Sequence, residues 1–383
     1  MKKVCLLGAS GSIGKQTIDV LLKNPNDFTL VAFSVGNQTN KISSILKKFP
    51  DVKAICIKDE KNAKTYAKRL PNLKIYHSDS GLDELILDNE IDIVVNALVG
   101  FVGLKPTLTA LEKNLTVCLA NKEALVVGGE LVNSILNQGK GKLYPIDSEH
   151  SAIYKCLKVD SKNVDKIYLT ASGGAFRDLS RKELKDAKPE DALKHPNWKM
   201  GNKITIDCAT MVNKTFEIIE AHYLFNFPVN KIGVTLHRES KVHSYIKYKN
   251  GLLRLDIGKT DMRIPIKYAL YEGLDDFKTY VCEDLNELKQ YHFSNLDTKR
   301  YPIINVAKTV INKKGTYGAV FNAANEITVE AYLKNKIKFL EIENLIKNCL
   351  NKHNSVSSPD YETLKRVDME TRNEVRNIIY KED

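Results

Sequence analysis

The chain has 383 residues, of which 43% are hydrophobic and 27% are charged, and its formal net charge is +11. At about 100 to 200 residues per domain, this length predicts two or three domains. We expect no membrane partner, because no run approaches the roughly 20 apolar residues that a spanning helix needs. We also expect no nucleic-acid partner, because the lysines are dispersed and acidic residues are interleaved with them.

The cysteines and the start of the chain predict a cytoplasmic location. Seven cysteines without paired spacing suit a reducing compartment better than a disulfide framework. The opening MKKVCLLGASGSIG has a basic pair and a short apolar run. This run passes directly into a glycine-rich loop, so we identify no targeting segment.

Residues 1–150 alternate short apolar runs with segments of helical periodicity. This pattern predicts an α/β fold, a Rossmann-like, doubly wound parallel sheet with helices on both faces. The predicted strands are Val4–Leu7, Leu30–Val35, Ala54–Ile57, Ile91–Leu98, Thr116–Leu119 and Leu143–Ile146.

The pattern changes after Ser151, and residues 151–273 are predicted to form a central α+β domain with a mixed or antiparallel sheet. Its predicted strands are Ile167–Thr170, Ile232–Leu236 and Val242–Tyr248. The polar stretch at about 173–203 indicates a long, flexible functional loop. Residues 274–300 are predicted to be a linker, and residues 301–383 a C-terminal helical domain.

A glycine-rich loop, GASGSIG, lies between the first predicted strand and the first predicted helix. In that context glycines let the backbone approach a pyrophosphate, and the helix N-terminus stabilises its charge. The loop therefore predicts a dinucleotide site, with a plain tight turn as the alternative. The predicted contacts are Gly8, Ser10, Gly11, Ser12 and Ile13.

The end of the second predicted strand bears on which dinucleotide is bound. An acidic residue about 20 positions after the glycines would hydrogen-bond the ribose 2′-hydroxyl of NAD. Residues 34–41 read SVGNQTNK and contain no carboxylate, and Lys41 is nearby. This favours NADP, although Lys41 is equally consistent with a solvated helix residue.

Two carboxylates, Asp147 and Glu149, follow the last predicted strand of the first domain. Open α/β sheets place ligands at that edge. In extended backbone the two side chains would point the same way, and a hard divalent cation accepts such oxygen ligands. The alternative is a solvated loop before a helix whose N-terminus attracts acidic residues.

A second polar group lies in the segment from Asp207 to Glu217, which runs into a helical pattern. If the helix starts near Met211, Asn213 and Glu217 share one face and Lys214 is beside them. An amide, an ammonium and a carboxylate so close could bind a hydroxylated phosphate ester and complete a metal site. An ordinary helix with polar surface residues is the alternative.

Two loop segments are candidate phosphate and substrate contacts. Ser172-Gly173-Gly174 follows a predicted strand, and its hydroxyl and successive N–H groups could cradle a phosphate. The segment HPNWKMG places His195 and the only tryptophan, Trp198, in the long loop. A lid over the substrate would explain an indole there, and a small structural cluster is the alternative.

Eight motifs are distributed over essentially the whole chain: GASGSIG, LANKEALV, PIDSEHSAIYKCL, LTASGGAFRD, HPNWKMG, IDCATMVNKTFEIIEAHYLF, DMRIPI and NAANEITV. In this order they resemble the family of 1-deoxy-D-xylulose 5-phosphate reductoisomerases. The resemblance implies a V-shaped homodimer with a nucleotide domain, a catalytic domain and a C-terminal helical domain. It implies NADPH and a divalent metal (Mn²⁺, Mg²⁺ or Co²⁺), and conversion of the sugar phosphate to 2-C-methyl-D-erythritol 4-phosphate for isoprenoid precursors.

The resemblance also implies roles for individual residues. The implied metal ligands are Asp147, Glu149 and Glu217, which with Lys122 are the catalytic residues. The implied substrate contacts are Ser148, Ser172, His195, Trp198, Cys208, Asn213 and Lys214, with Met200 also in the covering flap. Further implied cofactor contacts are Gly36, Asn37, Gln38, Asn121, Lys122, Glu123 and Gly201.

The sequence departs from the family pattern at three places. Cys208 stands where the family usually has a serine that contacts the substrate phosphate, and a thiol is a weaker hydrogen-bond donor. Asn37 stands where many members have a lysine near the cofactor 2′-phosphate. The run His237-Arg238-Glu239-Ser240 replaces the usual His-Pro-Gln-Ser.

The reaction and its alternatives follow from these residues. A metal would act as Lewis acid and template for the substrate oxygens, and both a retro-aldol/aldol route and a concerted α-ketol shift fit the sequence. One alternative function is a metal-assisted sugar-phosphate dehydrogenase without skeletal rearrangement. Another is a non-catalytic NAD(P)H-sensing regulator, although a sensor has no need of the acidic trio.

Overall fold

The structure is a computed structural model that describes residues 1–198, 200–274 and 290–380. The described chain forms two compact units. The first unit comprises residues 1–124, 131–147 and 261–274, and the second comprises residues 125–130, 148–260 and 290–380. The predicted domain bounds are not tested by this division and stay predictions.

The first unit contains a seven-stranded sheet in which all described strands run parallel. The strands are β1 (Lys2–Leu7), β2 (Phe28–Val35), β3 (Ala54–Ile57), β4 (Lys74–His77), β5 (Ile93–Asn96), β6 (Thr116–Leu119) and β7 (Lys142–Pro145). Their order, β4-β3-β2-β1-β5-β6-β7, reverses direction next to β1. The predicted Rossmann-like doubly wound fold is confirmed, and the order places the end of β1 at the ligand-binding switch point.

Helices connect the strands of this sheet. They are α1 (Ser12–Lys23), α2 (Ile42–Lys48), α3 (Glu60–Arg69), α4 (Ser80–Leu87), α5 (Leu104–Glu112) and α6 (Lys122–Asn137), and α11 (Arg263–Leu270) belongs to the same unit. Ile266 and Leu270 of α11 are fully buried in one core with Val4, Leu6 and Phe33. These α11 residues lie within the range 151–273 that is predicted as the central domain.

The second unit contains a five-stranded mixed sheet of order β11-β10-β8-β9-β12. Its strands are β8 (Val164–Ala171), β9 (Ile232–His237), β10 (Val242–Tyr248), β11 (Leu253–Ile257) and β12 (Phe293–Asn295). β8 and β9 pair in parallel and the other pairs are antiparallel. The mixed sheet was predicted, but its two edge strands β11 and β12 were missed, and β12 lies inside the predicted linker. Residues 275–289 of that linker lie outside the described residues.

Helices make up the rest of the second unit. They are α7 (Ser148–Val159), α8 (Pro189–Ala192), α9 (Asn202–Thr210), α10 (Val212–Phe225), α12 (Asn305–Lys313), α13 (Tyr317–Leu333), α14 (Phe339–Lys352) and α15 (Tyr361–Ile379). The predicted C-terminal helical region is confirmed. Its central helix α13 is buried along most of its length, and Phe321 packs on Phe216 of α10 with ring centroids 4.8 Å apart. Among the described helices, none has the length and apolarity to cross a membrane.

Candidate active site

The glycine-rich loop joins β1 to α1 and leaves the helix N-terminus open to a ligand. Gly8 has φ +84°, and a Cβ there would lie 2.6 Å from the Ala97 carbonyl oxygen. A Cβ on Gly14 would lie 2.3 Å from the Gly8 oxygen, so both positions require glycine. α1 begins at Ser12 after Gly11, which makes no side-chain cap hydrogen bond, and the first N–H groups of a helix are of the kind that can bind a pyrophosphate.

The remaining residues of the predicted dinucleotide site lie around this loop or after β2. Ser10, Gly11, Ser12 and Ile13 lie in the loop and the first turn of α1. Gly36 is half-buried, Asn37 and Gln38 are exposed, and Lys41 is exposed at the end of a short 3-10 turn. A Cβ on Gly36 would meet no atom within 4 Å, so packing within the chain does not require a glycine there.

The start of α6 holds a buried polar group. Asn121 caps the helix, because its Oδ1 accepts from the Ala124 N–H at 2.9 Å and its Nδ2 donates to the Gly100 carbonyl at 3.0 Å. Glu123 is buried and accepts from the Asn121 amide at 3.3 Å. Lys122 is also buried, and its Nζ lies 3.0 Å from an Asp147 carboxylate oxygen. Asn121 therefore fixes the helix start that positions Lys122.

In the second unit, the first turn of α7 and the first turns of α10 bring five predicted residues together. Lys214 Nζ donates to Glu149 at 3.0 Å and also contacts a Glu217 oxygen. The Asn213 amide donates to the other Glu217 oxygen, and Ser148 Oγ donates to Glu149 at 2.6 Å. The two carboxylates therefore converge, with oxygens within 4.8 Å of each other.

The side chains of this group are largely shielded from solvent. The side chains of Glu217, Lys214 and Glu149 are 1%, 5% and 19% exposed. Burial lowers the pKa of Lys214, but the charges of Glu149 and Glu217 outweigh it, so the pKa is raised above its usual value. One ammonium faces two carboxylates in a low-dielectric site, and carboxylate oxygens are ligands that a divalent cation accepts.

The arrangement of residues 147–149 differs from the expectation. The sequence analysis assumed an extended backbone in which Asp147 and Glu149 alternate, but α7 already begins at Ser148 and Glu149 lies in its first turn. An acidic residue there is favoured by the helix dipole, which was the alternative named for this segment. Asp147 immediately precedes the helix and pairs with Lys122.

The two loop segments named as candidate phosphate contacts meet at Ser172 and His195. His195 Nε2 lies 3.1 Å from Ser172 Oγ, which also accepts from the Gly174 N–H at 3.3 Å. Gly174 has φ +70°, and a Cβ there would lie 2.6 Å from the Cys208 carbonyl oxygen. The Ser172 loop therefore packs directly on α9 beside Cys208.

His195 is held as a neutral imidazole. Its Nδ1 accepts from the backbone N–H groups of Asn197 and Trp198 at 3.2 and 3.0 Å. The ring proton therefore lies on Nε2, which donates to Ser172. Burial, with a smaller effect from the Arg177 charge, lowers the pKa of His195 to about 4, although Glu149 acts in the opposite direction.

Trp198 and Gly201 are two further residues with predicted roles in the site. The Trp198 ring is half-buried, 6.4 Å from the His243 ring between centroids. Gly201 is exposed and immediately precedes α9. Their predicted roles in covering the substrate and contacting the cofactor stay predictions.

The structure adds residues to which the sequence analysis gave no role. The buried Asp207 carboxylate accepts from Asn325 of α13 at 2.9 Å and pairs with Lys203 at 2.9 Å. His150 Nε2 lies 2.9 Å from the Glu217 backbone oxygen, and its Nδ1 lies 3.3 Å from Glu220. The available signal was a polar residue on an otherwise apolar helix face within the matched motifs. Asn325, Glu217 and Glu220, which Asp207 and His150 contact, are distant from them in sequence.

The chain was compared with protein-family models. The model of 1-deoxy-D-xylulose 5-phosphate reductoisomerase matches residues 4–129. The model of the 1-deoxy-D-xylulose 5-phosphate reductoisomerase C-terminal domain matches residues 143–225. A further model, the DXP reductoisomerase C-terminal domain, matches residues 257–374.

Similar proteins were found by sequence and by structure. The 1-deoxy-D-xylulose 5-phosphate reductoisomerase of Geobacillus sp. (strain WCH70) is 44% identical over 99% of this chain and 100% of its own length. A second relative, 1-deoxy-D-xylulose 5-phosphate reductoisomerase 2 of Bacillus thuringiensis subsp. konkukian (strain 97-27), is 43% identical over 97% of this chain and 98% of its own.

Two solved structures are also similar over nearly the full length. A crystal structure of DOX-P reductoisomerase in complex with NADPH, fosmidomycin and magnesium has a TM-score of 0.93 at 32% identity, covering 99% of this chain and 98% of that one. The Zymomonas mobilis 1-deoxy-D-xylulose 5-phosphate reductoisomerase in complex with NADPH has a TM-score of 0.90 at 33% identity, covering 100% of both chains.

Proposed function

The chain belongs to the 1-deoxy-D-xylulose 5-phosphate reductoisomerase family, and we propose that it converts 1-deoxy-D-xylulose 5-phosphate and NADPH into 2-C-methyl-D-erythritol 4-phosphate. The observation that carries the proposal is the buried group of Glu149, Lys214 and Glu217. It combines oxygen ligands for a divalent metal with an ammonium for substrate oxygens. A nucleotide fold alone does not need such a group.

We infer that Asp147, Glu149 and Glu217 hold the divalent cation, Mg²⁺, Mn²⁺ or Co²⁺. The fit rests on chemistry, because carboxylate oxygens are the ligands that hard cations prefer. When bound, the metal supplies Lewis acidity to the substrate carbonyl and adjacent hydroxyl oxygens. Asn213 and Ser148 orient the two glutamates through their hydrogen bonds.

Lys214 and the Ser172–His195 pair are proposed to bind the substrate. Lys214 is a buried donor whose three protons exceed what two carboxylates use, so it is available to hydroxyl and phosphate oxygens. Ser172, His195 and Cys208 offer the phosphate a hydroxyl, an imidazole N–H and a thiol beside the Ser172 loop. Trp198 is proposed to cover the bound substrate.

NADPH is proposed to bind at the loop between β1 and α1, and it supplies the hydride. The open N-terminus of α1 accepts the pyrophosphate, while Gly36, Asn37 and Gln38 lie where the adenosine 2′-phosphate is expected. Lys122, positioned by Asn121 and paired with Asp147, is proposed to act beside the nicotinamide and the substrate. Glu123 and Gly201 complete the proposed cofactor contacts.

We also propose that the protein is a cytoplasmic homodimer. The observation that supports a second copy as partner is the edge strand β11, where Leu253, Leu255 and Ile257 are all exposed. An edge strand with an apolar face favours pairing with another chain.

The product distinguishes this proposal from the two alternatives. Carbon NMR of a reaction with the sugar phosphate, NADPH and Mn²⁺ should show a branched, methyl-bearing carbon skeleton. An unbranched reduced product would instead indicate a sugar-phosphate dehydrogenase. Tight NADPH binding with no product under the same conditions would favour the sensor.

A further inference from the structure

The turn between β9 and β10, residues 237–241, is organised around His237. The buried His237 accepts the N–H groups of Lys241 and Val242 on Nε2, both at 3.1 Å. Its Nδ1 donates to the His292 carbonyl at 3.1 Å, and its ring stacks on Phe293 with centroids 4.6 Å apart. Both ring nitrogens of His237 therefore hold the turn through hydrogen bonds.

The departure from the family pattern adds contacts to this turn. Arg238 pairs with Asp178, and Glu239 accepts from His292 Nδ1 at 2.6 Å. These exposed ion pairs each contribute little to stability. They nevertheless join the turn on one side to the segment after the Ser172 loop and on the other to β12.

The Asn197 side chain joins the loop that carries His195 to this turn. Its Nδ2 donates to the Arg238 carbonyl at 2.6 Å and to Ser240 Oγ at 2.7 Å. The amide orientation is settled by chemistry, because a carbonyl only accepts and therefore must face the amide nitrogen. Asn197 uses both N–H bonds of its amide for this one attachment.

The backbone carbonyl of Arg238 is also contacted from the side of the Ser172 loop. Arg177 Nη1 lies 3.1 Å from the Arg238 carbonyl and 3.5 Å from the Ser172 carbonyl. Arg238 thus presents one carbonyl oxygen to Asn197 on one side and to Arg177 on the other. Three elements, the His195 loop, the Ser172 loop and the turn, converge on it.

The attachment of Asn197 determines how His195 points. The backbone N–H groups of Asn197 and Trp198 both donate to His195 Nδ1. They set the ring tautomer and direct Nε2–H to Ser172. If the Asn197 side chain were released, these two N–H groups would lose their fixed position and the imidazole would lose its orientation.

We infer that Asn197 is a positioning residue for a phosphate group, holding the neutral His195 so that its Nε2–H is presented beside Ser172. This inference rests on the proposed function in taking His195 and Ser172 as phosphate contacts. The ligand chemistry it requires is a phosphate monoester or inorganic phosphate. Asn197 itself contacts no substrate.

The test uses inorganic phosphate and the emission of Trp198, the only tryptophan of the chain. Asn197→Ala should weaken phosphate binding by about 10-fold, the loss expected for two hydrogen bonds. Asn197→Asp is the discriminating variant, because it keeps the shape and removes both donors. It should bind phosphate at least as weakly as Asn197→Ala.

A matched control is Asn163→Ala, an exposed asparagine whose backbone carbonyl accepts from Lys249, a contact that the substitution preserves. Its phosphate affinity should equal that of the unmodified chain. A double-mutant cycle separates positioning from folding: with His195→Ala already present, Asn197→Ala should change the affinity by less than about twofold. A purely structural role would give additive effects.

Steady-state kinetics provide a second test of the role of Asn197. The KM for the sugar phosphate should rise about 10-fold in Asn197→Ala, while the KM for NADPH stays unchanged. Lack of turnover by the unmodified chain would contradict the proposed function but not this inference, which the phosphate titration decides. Unaltered phosphate affinity in Asn197→Asp, or no response of Trp198 to phosphate, would overturn it.

Discussion

Glu217 is 1% exposed, and Asn213 and Lys214 each donate to one of its two oxygens. Its charge is therefore held in place before any ligand arrives, which is how a preorganised electrostatic site avoids reorganisation during reaction. His150 contributes by contacting the backbone oxygen of the same residue. The proposed metal site thus depends on a shell of neutral and positive groups around one carboxylate.

Glu217→Gln tests that dependence. The amide keeps the shape but removes the charge, so we expect kcat to fall by about 100-fold or more, with weaker Mn²⁺ binding measured by calorimetry. Glu190→Gln, at an exposed position in α8, is the matched control and should leave both quantities unchanged. A near-normal kcat in Glu217→Gln would contradict the metal assignment.

Substitution of Cys208 is predicted to strengthen substrate binding, not to weaken it. A hydroxyl donates a stronger hydrogen bond than a thiol, so Cys208→Ser should lower the KM for the sugar phosphate by about 3- to 10-fold. The KM for NADPH should not move. An unchanged or higher KM for the sugar phosphate would show that Cys208 makes no phosphate contact.

Single site residues could be predicted where a short sequence motif itself contains the side chains that bind or react. Ser148, Glu149, Asn213, Lys214 and Glu217 were named from two segments, and the structure joins those segments. What the sequence did not reveal was the pairing across them, such as Lys214 with Glu149, since residues 65 positions apart meet only through the fold. The contact of Asn325 with Asp207 was missed for the same reason.

At the scale of elements, the junction of β1 and α1 has the tightest steric requirement in the proposed cofactor site. Gly14→Ala would place a methyl group 2.3 Å from the Gly8 oxygen, so the loop must shift. We expect unfolding to become easier by about 1 to 3 kcal/mol and NADPH affinity to fall by at least about 10-fold.

Gly258→Ala is the control for this substitution, because its Cβ would meet nothing closer than 3.6 Å. Denaturant unfolding and NADPH titration of the two variants provide the comparison. Equal behaviour of Gly14→Ala and Gly258→Ala would show that the loop is not the dinucleotide site.

The proposed homodimer can be tested at the edge strand β11. If Leu255 lies in a contact between two copies, Leu255→Glu places a charge there and should convert the dimer to a monomer in sedimentation velocity. Leu87→Glu, at an exposed apolar position on α4, should remain dimeric. A monomeric unmodified chain would contradict the homodimer directly.

The elements missed by the sequence analysis share a physical cause. β4 is only partly buried and β11 is mostly exposed, so neither shows a run of buried apolar residues. β12 has three residues, all exposed. Strands of this kind pair with a neighbouring strand at the edge of a sheet. They are short, and they lack the buried apolar run by which the interior strands were predicted, although β11 alternates apolar and charged residues. The interior strands, by contrast, were found by their apolar runs.

At the scale of the whole chain, the sheet class and the helical C-terminal region follow from alternation and periodicity, which are properties of successive residues. The placement of α11 does not follow from them. Its buried residues Ile266 and Leu270 pack in the core around β1, more than 250 positions earlier in the chain. Only the three-dimensional contact assigns the helix to the first unit.

The most direct measurement is the oxidation of NADPH, followed by the loss of its absorbance, with 1-deoxy-D-xylulose 5-phosphate after treatment with a chelator. We predict that oxidation is absent without metal, is restored by Mn²⁺ or Mg²⁺, and requires the sugar phosphate. NADPH oxidation that persists in the chelator would contradict the metal site. No oxidation with either metal, in folded protein that binds NADPH, would contradict the proposed reductoisomerase activity itself.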